Sequence, residues 1–187
     1  MDVMPDIDVG RPVRPEWVSA FAAVNQWRGA CMHHFSTVEL AVIQTLLTLA
    51  AAKSGEATVE LRHLIGQKFE DLATAVGESG PFGVQAKRVR EPLSYYRKDH
   101  EEFRSILCHG VIEVALQLNG SWLLGIRSLS IRSHQAELKE RTLKQSEAED
   151  KLAALKRDGQ KLCAALGQLR TILILASANS NGHAIQN

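Results

Sequence analysis

The chain has 187 residues, with 22 Lys and Arg against 21 Asp and Glu, a formal charge of +1 and 45% hydrophobic side chains. This fits one globular domain and excludes a globally polybasic protein, so any nucleic-acid contact has to come from a local patch or from a surface assembled by two subunits. Three widely spaced cysteines, Cys31, Cys108 and Cys163, form no Cys-x-x-Cys pair, which disfavours a disulfide framework and a structural zinc site.

Residues 1–14 combine Pro5, Gly10 and Pro12 with aspartates and read as a mobile arm, too acidic for a secretory signal. Pro15 opens a first helix that buries Trp17, Phe21, Val24 and Trp27. Ser36 or Thr37 caps a second, with Val38, Val42, Thr45, Leu46 and Leu49 on one face and Leu40, Ile43 and Leu47 broadening it; it ends at Lys53-Ser54-Gly55. The apolar run from Leu40 to Ala52 is short for a membrane span and carries Gln44 and two threonines, so no membrane contact and a reducing cytoplasm are expected. Thr58 caps a third helix, with Leu61, Leu64, Ile65, Phe69, Leu72 and Val76 inward and Gly77 as its stop. A loop at 78–81 precedes a short helix from about Val84 to Leu93, which Pro92 bends or ends.

The next helix carries the most informative residues. At about 100° per residue, Phe103, Ile106 and Leu107 form an apolar stripe, and Arg104, Ser105, Cys108 and His109 share the opposite arc. Gly110 supplies the stop, and the negative helix end favours the imidazolium form of His109. After Gly110 the period changes to two: Ile112, Val114, Leu116 and Leu118 alternate with Glu113 and Gln117, and Asn119-Gly120 suits a two-residue hairpin turn before a return strand over 121–130. A long charged helix is expected from Ser133 to Ala176, with Leu138, Leu152, Leu155, Leu162, Leu166, Leu169 and Leu173 in a near-heptad stripe and a polar N-terminal half. Residues 177–187 read as a disordered tail.

Arg104, four residues and His109, with the His-Gly ending, Phe35-Ser36-Thr37-Val38-Glu39-Leu40 upstream and a long helix downstream, resemble the Arg-x4-6-His motif of the HEPN superfamily. The resemblance implies a mainly α fold, an HEPN-like bundle over 15–176 with a small inserted β-hairpin at about 111–130. It further implies a metal-independent endoribonuclease of a toxin-antitoxin or antiphage kind, cytoplasmic, needing no cofactor. Two motif copies would meet across a homodimer, and an antitoxin or other protein could dock on the last helix. After the arginine, active members usually carry Asn, Asp or His, where this chain has Ser105. Some HEPN toxins have a modifiable tyrosine two residues after the histidine, and here that place is Val111.

Metal-free RNA cleavage needs a proton taken from the 2′-hydroxyl, charge stabilised on phosphorus and a proton given to the leaving 5′-oxygen. His109 suits the first or third task, Arg104 the second by a forked phosphate contact, and Ser105 can orient the imidazole or bond phosphate. Lys87, Arg88, Arg90, Arg97 and Lys98, interrupted by Tyr95-Tyr96, suit a single-stranded RNA track, or equally a solvated helix face with half-buried tyrosines. Glu39 either holds Arg104 or is an ordinary acid near a helix start. His33-His34 lacks a third metal ligand, and Cys108 lacks a nucleophile's partners. The bland alternative pairs Arg104 with Glu101 or Glu102 and leaves His109 as a helix cap. In that case the chain is a catalytically inactive dimerisation or scaffold module.

Overall fold

The computed structural model describes residues 14–52, 59–132 and 135–183. Its elements, in order, are α1 (Pro15–Ala51), α2 (Ile65–Val76), α3 (Arg90–His109), β1 (Val111–Leu116), β2 (Trp122–Arg132), β3 (Gln135–Lys144) and α4 (Gln145–His183). The fold is mainly helical, with one small antiparallel sheet and a long C-terminal helix.

The two helices expected before residue 53 are one. No cap forms at Ser36 or Thr37; Thr37 Oγ1 instead donates to the carbonyl of His33, 2.9 Å away, inside the continuing helix. Val24 and Trp27 are buried as expected, but Trp17 and Phe21 stack on each other at the surface, with Trp17 Nε1 donating to Val114 O at 3.3 Å. The proposed cap Thr58 lies outside the described residues. The third helix starts at Ile65, after an irregular segment over 59–64 that Arg62 pins: it donates its backbone N–H to Asp71 Oδ2 (3.1 Å) and its Nε to Oδ1 (2.6 Å). Leu61 and Leu64 are exposed, and Gly77 does end the helix.

No separate helix forms over 84–93. Turns fill residues 79–89, and Pro92 falls in the first turn of α3, where a missing N–H breaks no helical bond. Arg90 fixes this connection. Its Nε donates to Val76 O (2.9 Å), Nη2 to Gly83 O, and Nη1 to Glu78 Oε1 (3.3 Å).

The hairpin forms where the alternation places it, with Ile112 opposite Ile126, Val114 opposite Leu124 and Leu116 opposite Trp122. Its turn is longer than two residues. Gln117 N–H donates to Ser121 O and Gly120 N–H to Gln117 O, and Gly120 takes φ +83°, the left-handed residue that closes a three-residue loop. Leu118 therefore sits in the loop, fully exposed.

A third strand replaces the polar half of the expected last helix. β3 pairs with β2 from Leu123 opposite Lys144 to Arg132 opposite Gln135, giving the order β1-β2-β3. Its inward positions include Lys139, Arg141 and Leu143, and the Arg141 guanidinium lies 5.6 Å from the Phe103 ring centre. Charged side chains cover the core with their stems here, so the strand shows no apolar alternation.

α4 starts at Gln145 and continues past Ala176 to His183. It runs parallel to α1. Trp27 Nε1 donates to Ala148 O (2.8 Å), Gly159 faces Val38, and Arg170 Nη1 donates to Ala41 O (3.2 Å) and Thr45 Oγ1 (2.8 Å). Ala148, Leu155, Leu162 and Leu169 on α4 meet Val24, Cys31, Val38 and Thr45 on α1 in a buried seven-residue rhythm. Trp122, Trp27, Phe103 and Phe35 form an aromatic chain with successive centres 6.3, 6.2 and 6.3 Å apart, joining sheet and helices. By length and composition α1 and α4 are each apolar enough to cross a membrane, and 39% and 28% of their most apolar stretches are buried in the fold.

Candidate functional site

α3 presents its motif as the 3.6-residue period requires. Phe103, Ile106 and Leu107 are buried, Arg104 and Cys108 are half-buried, and Ser105 and His109 stand in solvent one turn apart. Arg104 pairs with neither Glu101 nor Glu102. Its Nε donates to Glu39 Oε1 at 2.5 Å, with the two side chains 26% and 22% exposed, so α1 holds the guanidinium. Glu101 pairs with Arg97 at 3.2 Å and Glu102 with Lys139 at 3.0 Å.

His109 is not needed as the helix cap. Gly110 N–H donates to Ile106 O (2.8 Å) and Arg28 Nη2 to Leu107 O (3.0 Å), so other groups satisfy these end carbonyls. A side chain at position 110 has no room: a Cβ there would lie 2.5 Å from both Ile106 O and Ile126 Cγ2. The close approach of β2 thus fixes where the helix stops and leaves His109 at an exposed tip.

Arg104 and Ser105 line a hollow of about 520 Å³ between α2, α3 and the sheet, together with Ser128 and Lys139. A second hollow of about 490 Å³, bordered by Arg90 and Lys98, shares Arg97 and Glu101 with the first. The two adjoin along α3 at the Arg97–Glu101 pair, a trough that His109 does not line.

The basic strip separates in three dimensions. Lys87, Arg88 and Lys98 are exposed, Arg97 is paired with Glu101, and Arg90 is committed to the 76–83 connection. Tyr95 is exposed, whereas Tyr96 is buried beside Phe69 and its phenol is pushed above its usual range by that burial. Across from Tyr95, Arg157 and Lys161 of α4 border a third hollow of about 510 Å³. These two cations, more than fifty residues away in sequence, gave no local signal.

Nor did the buried pair of His100 and Asp158. His100 Nε2 lies 3.1 Å from Asp158 Oδ2, and Nδ1 has no partner. Burial alone would raise the Asp158 carboxyl, but hydrogen bonds from Arg157 and His100 outweigh it and hold the group below its ordinary 3.8. The same balance, with Arg62 as donor, lowers Asp71.

Burial raises the thiol pKa of all three cysteines, Cys31 to about 12, so none is an activated nucleophile. Cys108 Sγ rests 3.6 Å from Met32 Sδ. His33 and His34 have ring centres 5.5 Å apart, and no group of three metal-binding side chains exists among the described residues. Chemically, the site offers a fixed guanidinium with a hydroxyl at a trough, and an accessible imidazole one turn on. The chain matches no family model, no curated protein and no solved structure.

Proposed function

We propose that the protein is a metal-independent endoribonuclease of the HEPN type, acting in the cytoplasm as a homodimer in a toxin-antitoxin or antiphage setting. The observation that carries this reading is the polar arc of α3: Arg104 held at a trough on one flank, Ser105 between, and His109 exposed on the other flank and released from capping. Glu39 engages Nε of Arg104, which leaves the terminal Nη groups of the fork for a phosphodiester. His109 moves the proton at the 2′- or 5′-oxygen, and Ser105 bonds the imidazole or a phosphate oxygen. One chain supplies half a site. The hollow that holds Arg104 does not reach His109, so the second motif completes the chemistry. Lys87, Arg88, Lys98 and the exposed Tyr95 guide the strand, and an antitoxin or other partner docks on α4.

A second reading, a catalytically silent HEPN-like scaffold, is favoured by a specific observation. Arg104, Arg97 and Lys139 at the trough each already carry a carboxylate partner, which weakens the pull on an incoming phosphate. Induced expression separates the two. The nuclease reading expects growth arrest with wild type and relief with His109→Ala at equal protein level; growth indifferent to both chains selects the scaffold.

A further inference from the structure

α1 carries two stripes. One is the buried seam against α4. The other, Ser36, Leu40, Ile43, Leu47 and Ala50, repeats at spacings of four and three and lies about 150° around the helix from the first. This is the side that a surface helix ordinarily fills with charge. Here Leu40 and Leu47 are each 55% exposed, Ser36 and Ala50 are exposed and Ile43 is half-buried. From Ser36 to Ala52 the one ionisable side chain is Glu39, and Arg104 already neutralises it.

We infer that this stripe is the surface on which two copies of the chain pair, α1 against α1, about a two-fold axis. Three features select a second copy. An exposed apolar row at near-heptad spacing matches one facing helix, whereas lipid makes no such demand for a single narrow row. An uncharged row is self-complementary, since residues meeting their own copies across a two-fold axis bring no like charges together. Glu39 borders the row, so an axis crossing α1 near Leu40 brings both Glu39–Arg104 pairs to one seam. The inference deepens the proposed homodimer by assigning its face; the pairing itself rests on the stripe.

The row from Ser36 to Ala50 is about 21 Å long. A helix pair of that length buries less than the roughly 800 Å² per partner of a standard interface, so the dimer is expected to dissociate in the micromolar range. Light scattering on the full chain should give twice the 20.6 kDa chain mass at high micromolar concentration. Leu40→Glu with Leu47→Glu should halve it without lowering the melting temperature, because both side chains are at the surface. As a variant that keeps the native surface, Leu40→Cys should cross-link copies under mild oxidation, and Glu149→Cys should not. A wild-type chain that stays monomeric overturns the inference, as does a dimer that survives both glutamates. A monomer that floats with phosphatidylcholine vesicles overturns it too, and gives the face to lipid. The mass is read without RNA. A dimer that cleaves nothing therefore defeats the nuclease alone, and a dimer that cleaves RNA yet survives both glutamates defeats the stripe alone.

Discussion

Arg104 on α3 is anchored by Glu39 on α1, Nε to Oε1 at 2.5 Å, across 65 residues of chain. The pair is mostly shielded from water, so losing one member strands the other. Glu39→Gln or Arg104→Gln alone should each cost about 1–2 kcal/mol in urea unfolding. The double variant should cost less than the sum of the two, and strict additivity would show that the ion pair is not a coupled unit.

Arg90 is committed to the fold, tying α3 to the 76–83 connection. Arg90→Ala should lower stability by about 2–3 kcal/mol, since three acceptors lose their donor, and Arg90→Lys should recover little because one ammonium cannot span that fork. Neutralising Lys87, Arg88 and Lys98 together should instead weaken single-stranded RNA binding and flatten its salt dependence, with the melting temperature unchanged. The opposite assignment of effects would refute this division.

Acid should act through Asp71 and Asp158. Both carboxyls titrate below their ordinary 3.8 in the folded chain, so their stabilisation is complete above that value and is lost as pH falls through the lower folded value. Asp158→Asn and Asp71→Asn should reduce stability at pH 7 and make its decline below pH 4 shallower than in wild type. A decline of unchanged steepness in both variants would place the acid sensitivity elsewhere.

Cys31 should resist iodoacetamide in the native chain at pH 8 and react on unfolding, because burial keeps its thiol protonated there. Cys108→Ser should leave any RNA cleavage within about twofold of wild type. A much larger loss would return the thiol to the chemistry.

The sequence was most legible where one face repeated cleanly. The apolar stripe of α3 foretold that Arg104, Ser105 and His109 lie off its buried face, and the alternation after Gly110 foretold the first hairpin, although its three-residue loop shifts the pairing by one from the two-residue turn expected. It was least legible where charged stems do the work of apolar groups. β3 read as helix because Lys139 and Arg141 occupy its inner face, and Ser36 and Thr37 read as caps although Thr37 bonds back within α1. The pairing of Arg104 with Glu39 was named as an alternative from the sequence, but distant partners such as His100 and Asp158 meet only because α3 and α4 pack together.

The most direct test is cleavage of a labelled single-stranded RNA in EDTA by wild type, Arg104→Ala and His109→Ala, each confirmed folded. The proposal expects metal-free cutting by wild type and losses of about 100-fold or more in each variant, the scale of a removed acid-base or charge-stabilising group. Equal cleavage by all three chains would contradict it.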